Sequence, residues 1–430
     1  MAGAQLYKTA SGRLFHAGAV AIITVGLPAR GKTHISRSLC RYMRWLGVST
    51  KVFSVGNYRR KLMGSIPNEM FDPNNDAANE IRLKIADDCL NDMVEWLQYG
   101  GGQVGIYDGN NISEERRKEM NDKLENMDIH VLFIESICDK PEIVLANIKS
   151  VKISSPDYIG WDPEEAVKDY THRIEQCELY YKTITNLSLP FVKLLNVGER
   201  IIVNNVRGYL QSRIVYFLMN LHNRSRIIYF ARAGESENPG VFKVDAGLTQ
   251  EGEAYAQKLK KFVLAYRKKQ HEELREEGKE RPLTVWTSTR KKSSQTALPF
   301  LQEGFIVRHQ SVLNQINPGE TDGMTIKEIQ NKFPDEVERA KQDPYRHRYP
   351  RAESYHDLAI RLESVIMELE REKNDVLIIA HDSILRCLYA YLFDRPDHEI
   401  PSIPMPRNYL ISIMPSAYGC KESRVEIVDI

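Results

Sequence analysis

Two kinds of hydrophobic pattern alternate along the chain. Short, continuous apolar runs predict buried strands, and the clearest are AIITV, KVFSVG, IHVLFIES, RIIYFA, LTVWTST and DVLIIAH. Between them, apolar residues recur at helical spacing in ADDCLNDMVEWLQYG, PEIVLANIKSVK, PEEAVKDYTHRIEQCELYYKTI, LTQEGEAYAQKLKKFVLAY, SSQTALPFL, SYHDLAIRLESVIMELE and ILRCLYAYLF. The alternation predicts an α/β protein with a parallel sheet, whose functional residues lie at the carboxyl ends of the strands.

The pattern starts afresh near Asn223, where a second series of strands and helices begins. A chain of 430 residues is also longer than one ordinary hydrophobic core supports. We therefore expect two α/β domains, residues 1–223 and 224–430. A charged run within the second, RKKQHEELREEGKER, is typical of a solvated helix extension or loop.

Composition and charge exclude several classes of protein. The formal net charge of +1 gives no strongly basic field, which argues against a nucleic-acid partner. Six scattered cysteines without a CxxC pair indicate reduced thiols rather than disulfides or a zinc site. No run reaches the roughly 18 apolar residues of a membrane helix. The sequence thus predicts a cytoplasmic protein without a membrane partner.

The most specific motif is GLPARGKT, which fits GxxxxGK[ST] and lies between a predicted strand and a predicted helix. Glycines let backbone N–H groups surround a phosphate at a helix N-terminus, where the helix dipole favours anions. Lys32 can then reach the β- and γ-phosphates, and the Thr33 hydroxyl can hold Mg²⁺. The motif predicts a nucleotide-phosphate loop, which the family resemblance given below assigns to ATP, at Gly26, Leu27, Pro28, Ala29, Arg30, Gly31, Lys32 and Thr33.

A second carboxylate is needed near the metal of such a site. QVGIYDGNN supplies Asp108 at the predicted end of a strand, where it can ligate Mg²⁺ and orient an acceptor hydroxyl. Cations also occur on the connections of the first domain, and their convergence would suit a phosphorylated acceptor. They are Arg59, Arg60, Arg82, Arg116, Arg117, Lys152 and Arg173.

GLPARGKT, YRR, ESIC, SPDY, SRIVYFLMN, RYP.AESY and AYGCK together resemble the bifunctional 6-phosphofructo-2-kinase/fructose-2,6-bisphosphatase family over nearly the whole chain. The resemblance implies an N-terminal P-loop kinase domain with a parallel sheet that makes fructose 2,6-bisphosphate. It also implies a C-terminal phosphoglycerate mutase-like (histidine phosphatase) α/β domain that hydrolyses this product. ATP, Mg²⁺, fructose 6-phosphate and a homodimeric assembly follow as expectations.

The resemblance assigns roles to individual residues of the first domain. ATP contacts extend to residues 147–152, including Asn147 and Lys152, and the catalytic positions are Lys32, Asp108, Cys138 and Lys152. The fructose 6-phosphate positions are Arg59, Arg82, Asn110, Arg116, Lys152 and Arg173. Asn110 stands where the family usually has Thr, and Cys177 where it usually has a sugar-binding Tyr. The charged set is complete, so we expect a competent kinase.

The corner YFARAGE in the second domain departs from the family at its central residue. Histidine phosphatases carry Arg-His-Gly-Glu there, and the histidine attacks phosphorus to form a phosphohistidine. Ala233 has no side chain that can do so. Ser236 is nearby in sequence, but nothing in the sequence indicates that it is activated.

Other positions of this site are altered as well. Gln315 replaces the general acid Glu and cannot donate a proton to the leaving oxygen. Lys292 replaces an Arg and lacks the bidentate fork. Four residues retain the family's identities: Arg232, Glu235, His381 and Arg386. Loss of nucleophile and acid together predicts a vestigial phosphatase domain.

Three alternatives to a kinase with an inactive phosphatase domain stay open. The first is a bifunctional enzyme, or the mutant of one in which Ala233 was introduced. The second is a non-catalytic protein that binds ATP or sugar phosphate and acts through a partner. The third is a kinase for another acceptor, such as a nucleotide.

Overall fold

The computed structural model of the protein describes residues 18–64, 75–154, 156–158, 160–196, 198–222, 226–237, 243, 245–273, 281–416 and 419–429. The chain folds into two compact units. Described residues up to 222 form the first unit, and those of 226–415 and 419–429 form the second. Both are α/β units with mostly parallel sheets, which confirms the predicted fold class.

The first unit is built on a six-stranded sheet of order β2-β3-β1-β4-β5-β6. Its strands are β1 (Ala19–Val25), β2 (Thr50–Ser54), β3 (Val104–Asp108), β4 (Ile129–Ile137), β5 (Phe191–Leu195) and β6 (Arg200–Asn204). All neighbours pair in parallel except β5 and β6, which are antiparallel. Strand β1 is central and buried on both faces, which explains its continuous apolar run.

Helices cover both faces of this sheet. They are α1 (Lys32–Trp45), α2 (Val55–Met63), α3 (Asp76–Gln98), α4 (Glu114–Glu125), α5 (Pro141–Ser154), α6 (Pro163–Glu178) and α7 (Tyr209–Asn220). The predicted continuation of α6 through residue 184 is wrong. The buried Glu135 carboxylate accepts hydrogen bonds from the Tyr181 hydroxyl at 2.7 Å and the Ile184 N–H at 3.2 Å, and so holds this segment outside a helix.

The core of the first unit has two parts that matter for its site. On one face, Ile23, Phe53, Met93, Tyr107 and Phe133 belong to one buried cluster beneath α3 and α4. Elsewhere, the ring of Tyr42 on α1 stacks on Phe217 of α7 with centroids 4.5 Å apart, and both side chains are fully buried. These contacts fix the sheet and α1, the two elements that flank GLPARGKT.

The second unit repeats the plan with a six-stranded sheet of order β12-β11-β7-β10-β8-β9. Its strands are β7 (Ile228–Arg232), β8 (Leu283–Ser288), β9 (Ile306–Gln310), β10 (Asp375–Ala380), β11 (Tyr409–Ser416) and β12 (Gly419–Glu426). Strands β7 to β10 pair in parallel, and β11 runs antiparallel to β7. The carboxyl ends of β7 and β10 therefore lie side by side.

The helices of the second unit are α8 (Gln250–Glu273), α9 (Lys291–Gln302), α10 (Ile326–Lys332), α11 (Pro334–Gln342), α12 (Tyr355–Arg361), α13 (Glu363–Arg371) and α14 (Asp382–Leu392). The predicted single helix over SYHDLAIRLESVIMELE is two helices that meet at the buried Leu362. Part of the charged run after residue 273 lies outside the described residues. No described helix combines the length and apolar character that crossing a membrane requires.

Candidate active sites

The loop between β1 and α1 has the backbone of an anion-binding cradle. Gly26, Ala29 and Gly31 have φ of 138°, 60° and 77°, so the chain coils tightly before α1 begins at Lys32. A Cβ at position 26 would lie 2.5 Å from the carbonyl oxygen of Ser136, which only glycine avoids. The amide groups of the first turn of α1 have no partner within the helix and are available to a phosphate.

Neighbouring segments hold this loop through its backbone. The amide of Asn147 donates to the carbonyl oxygen of Ala29 at 2.9 Å, and the Ser136 hydroxyl donates to that of Arg30 at 2.6 Å. The Gly26 N–H donates to the carbonyl oxygen of Asn110 at 2.9 Å. Asn147 and Asn110, both predicted as ligand contacts, thus adjoin the loop and support its conformation.

Thr33 and Asp108 meet at the carboxyl end of the sheet. The Thr33 hydroxyl donates to Oδ2 of Asp108 at 3.0 Å, and Ser54 lies beside Asp108 in the β2–β3 register. Burial raises the pKa of Asp108, while the charge of Lys32 and hydrogen bonds from Thr33 and Ser54 oppose the rise. The two residues predicted as metal ligands therefore present oxygen atoms to one point.

Lys32 is buried beside them. Its ammonium group donates to the carbonyl oxygen of Leu27 at 2.6 Å, a bond that a phosphate oxygen could replace. Burial lowers the pKa of Lys32 to about 8, although the nearby Asp108 carboxylate opposes this. The amine thus lies at the loop with a weakly held proton.

Cys177 shows where three of the predicted cations converge. Burial raises the pKa of its thiol, but the charges of Lys32, Arg173 and Arg82 each act to lower it. These cations come from α1, α6 and α3, so their side chains approach one region from three elements. Cys177, for which the resemblance predicts the position of a sugar-binding Tyr, lies in that region.

The predicted acceptor-binding arginines are each held by a polar partner. Arg59 and Arg60 both donate to Oδ2 of Asp157, at 2.5 and 3.1 Å. Arg116 donates to Asp87 of α3 at 2.5 Å. Arg82 is hydrogen-bonded to Asn79, and Arg173 donates to the Tyr158 hydroxyl at 2.8 Å. These bonds orient the guanidinium groups; the side chain of Lys152 lies outside the described residues.

A cavity of about 540 Å³ lies beside the loop. Its wall includes the apolar side chains of Leu27, Val144 and Ile148, and Cys138 lines it as well. The Cys138 thiol is buried and lies 3.8 Å from the carbonyl oxygen of Lys140. The cavity offers an apolar surface to a ligand whose phosphates occupy the neighbouring loop.

In the second unit, the corner after β7 is held by the adjacent strand and helix. The N–H of Ala233 donates to the carbonyl oxygen of Ala380 at 3.1 Å, and the N–H of Gly234 donates to the Thr296 hydroxyl at 2.9 Å. Arg232 ends β7 and pairs in register with Ala380 of β10. The corner therefore lies beside His381, the residue that follows β10.

Asp382 is a residue of this site that the sequence alone did not indicate. Its Oδ2 lies 3.8 Å from an Arg232 nitrogen and 3.4 Å from an Arg386 nitrogen, and its Oδ1 lies 2.7 Å from Nδ1 of His381. The only feature of the sequence that marks Asp382 is its place directly after a histidine at the end of a strand. Its role depends on the contact with Arg232, which is distant in sequence.

The remaining predicted residues of the second site surround this cluster. Burial lowers the pKa of Lys292 to about 8, while the charge of Asp382 opposes this. Glu235 lies 3.7 Å from Arg407. The side-chain oxygen of Gln315 is buried without a hydrogen-bond partner among the described residues. The methyl side chain of Ala233 cannot act as a nucleophile.

The two units define a P-loop kinase fold joined to a histidine phosphatase fold. The profile of the 6-phosphofructo-2-kinase family matches residues 7–225, and that of the histidine phosphatase superfamily (branch 1) matches residues 228–426. The chain is 42% identical over 406 residues to 6-phosphofructo-2-kinase/fructose-2,6-bisphosphatase of Gallus gallus, covering 93% of this chain and 83% of the relative.

Two further relatives carry the same enzyme name. The enzyme of the same name from Aquarana catesbeiana is 42% identical, with 93% of this chain and 83% of the relative covered. 6-Phosphofructo-2-kinase/fructose-2,6-bisphosphatase 3 of Homo sapiens is 41% identical, with 93% and 75% covered. The chain belongs to the 6-phosphofructo-2-kinase/fructose-2,6-bisphosphatase family.

The lowered pKa of Lys32 predicts a descending limb in the pH profile. The amine loses its charge as pH rises through about 8, and an uncharged amine no longer attracts a phosphate. We expect kcat/KM for ATP to fall above that pH by up to about tenfold per pH unit. Lys32→Arg is the matched control, because a guanidinium stays charged and should remove the limb. A flat wild-type profile from pH 7.5 to 9.5 would contradict the assignment.

Proposed function

We propose that the protein is a 6-phosphofructo-2-kinase, which transfers the γ-phosphoryl group of ATP to the 2-hydroxyl of fructose 6-phosphate. The observation that carries the proposal is the Thr33–Asp108 hydrogen bond of 3.0 Å beside the buried Lys32. It supports a phosphoryl-transfer site because an amine, a hydroxyl and a carboxylate lie together at a phosphate-binding loop. The names of the relatives supply the acceptor.

The loop and cavity together suit ATP. Backbone N–H groups of residues 29–33 would surround the β- and γ-phosphates, with Lys32 exchanging its bond to Leu27 for a phosphate oxygen. The adenosine portion would lie in the cavity of about 540 Å³, against Val144 and Ile148. Cys138 would contribute to this wall, and Asn147 would hold the loop in place.

The residues present also fit Mg²⁺. Oxygen donors are the ligands this ion prefers, and it usually keeps one or two protein ligands with phosphate oxygens and waters. The Thr33 hydroxyl and the Asp108 carboxylate would be those protein ligands. The ion would neutralise negative charge on the phosphates, and Asp108 would also orient the acceptor hydroxyl.

The acceptor would lie where the cations of the first unit converge. Arg82, Arg173 and Lys32 approach the region of Cys177, and Arg59 and Arg116 are oriented by Asp157 and Asp87. Guanidinium groups bind phosphate through paired N–H donors, so this set suits the 6-phosphate of the sugar. Asn110 and Lys152 complete the proposed acceptor set.

We propose further that the second unit is catalytically inactive as a bisphosphatase. Ala233 supplies no nucleophile, Gln315 supplies no acid, and Lys292 supplies a point charge in place of a fork. The domain, residues 224–430, would then be a structural partner of the kinase, residues 1–223. The relatives' names favour the alternative, a bifunctional enzyme, and turnover of fructose 2,6-bisphosphate by the unmodified protein would establish it.

Assembly and location are also proposals. The outer strand β6 pairs with β5 on one side, and its Ile202 and Val203 are exposed. Such an edge is a ready surface for a second copy, which supports the expected homodimer. Light scattering of the purified protein would show its mass in solution. We expect it in the cytoplasm, as the composition predicts.

The kinase assignment is tested with purified protein, MgATP and fructose 6-phosphate. Asp108→Asn keeps the size of the side chain and removes its charge. We expect turnover to fall by about 100-fold or more and the Mg²⁺ requirement to rise. Asp122→Asn, an exposed carboxylate of α4, is the matched control and should leave turnover unchanged. Wild-type Mg²⁺ dependence in Asp108→Asn would show that another group serves the metal.

The acceptor site is tested by Arg173→Ala. Because this arginine would bind the sugar phosphate in the ground state, KM for fructose 6-phosphate should rise by about tenfold or more while KM for ATP changes little. Arg207→Ala removes an exposed guanidinium of the same unit and should alter neither constant. Equal damage to both constants in Arg173→Ala would assign it to folding or to ATP.

The inactive second unit is tested by reversion. Ala233→His restores a nucleophile but leaves the leaving oxygen without an acid, a deficit typically worth about 10²–10⁴-fold. Ala233→His should therefore stay slow, and its combination with Gln315→Glu should exceed the product of the single effects. The measurement is phosphate release from 2-labelled fructose 2,6-bisphosphate. Rapid turnover by the single revertant would reveal a site that is otherwise intact.

A further inference from the structure

We propose that Asp382 is an internal carboxylate that occupies the phosphate-binding position of the second unit and closes it to phosphate groups. The proposal concerns binding rather than turnover, and it does not depend on the kinase activity of the first unit.

Three nitrogen-bearing side chains point at the same carboxylate, and one of them, Arg232, comes from a different element. Arg232 ends β7, His381 follows β10, and Arg386 lies one helical turn beyond Asp382 on α14. Their nitrogens lie 3.8, 2.7 and 3.4 Å from the Asp382 oxygens. A phosphate group bound by the same side chains would place its oxygens in this space, so the carboxylate and the phosphate compete for one position.

The arginines are also fixed by other bonds, so they cannot simply move to a second anion. The Arg232 guanidinium donates to the carbonyl oxygen of Met405 at 3.1 Å. Arg386 donates to the carbonyl oxygen of Ile403 at 3.0 Å and to the Tyr355 hydroxyl at 2.9 Å. The donors left for a ligand are those that face Asp382.

Asp382 is ionised at neutral pH. Burial opposes ionisation, but the contact with His381 and the charges of Arg232 and Arg386 hold the pKa of Asp382 well below its usual range. Burial lowers the pKa of His381, although the neighbouring Asp382 carboxylate opposes this. An arriving phosphate dianion would meet a fixed negative charge that already faces both arginines.

A helical role alone does not account for this arrangement. An acidic residue in the first turn favours any helix through the dipole, and Asp382 is the first residue of α14. That role needs no partner on another element, whereas Arg232 reaches Asp382 from β7. Asp382→Asn and Asp382→Ser remove the charge, and both place a small polar residue at the start of the helix.

The test is titration of the full-length variants with inorganic phosphate by calorimetry. A saturating non-hydrolysable ATP analogue occupies the phosphate-binding loop of the first unit throughout. We expect Asp382→Asn to bind phosphate about tenfold or more tightly than the wild type, because a buried like charge has been removed. Adding Arg232→Ala to Asp382→Asn should abolish the gain, which locates it in the second unit.

Asp343→Asn is the matched control, since it changes net charge equally at a half-exposed aspartate of the second unit, one that pairs with Arg346. It should bind phosphate as the wild type does. Thermal unfolding and kinase turnover show whether each variant is folded. Equal affinity in wild type and a folded Asp382→Asn or Asp382→Ser overturns the proposal. If both variants unfold, Asp382 is a structural residue and the proposal falls as well.

Discussion

Parallel pairing of the central strands is the constraint on which both candidate sites depend. In the first unit, β1 pairs with β3 and β4, so three strands deliver their carboxyl ends to one edge. Ile23 is paired with Tyr107, and this register lets Asp108 reach the first turn of α1. A slip of one residue would turn Asp108 to the opposite face of the sheet. In the second unit, the parallel pairing of β7 with β10 likewise brings Arg232 beside His381.

The two edges share a plan but differ in how their charges are balanced. At the first, Lys32 donates to a backbone carbonyl, a neutral partner that an anionic ligand readily replaces. At the second, Arg232 and Arg386 already face the ionised Asp382. Replacing a charged partner costs far more than replacing a neutral one, because the displaced carboxylate would stay buried without compensation. Lys32 at the first edge is therefore released to an anionic ligand more readily than Arg232 and Arg386 at the second.

Much of the first site could be predicted because its signal is local. GLPARGKT carries its lysine, threonine and helix start within eight consecutive residues, and Asp108 ends a recognisable strand. What could not be predicted depends on contacts between distant segments. The bond from Ile184 to Glu135 ends α6 early, Leu362 divides a helix that reads as continuous, and Asp382 acquires its importance from Arg232. Hydrophobic periodicity contains no information about such partners.

The stacking of Tyr42 on Phe217 has a consequence for where the first unit ends. Helix α7 follows the last strand of the sheet and contains SRIVYFLMN, one of the segments that resemble the family. Because Phe217 covers the ring of Tyr42 on α1, the helix is part of the core that supports the phosphate-binding loop. A fragment ending after β6 would expose that ring to water. The smallest fragment worth expressing alone therefore extends through Asn220.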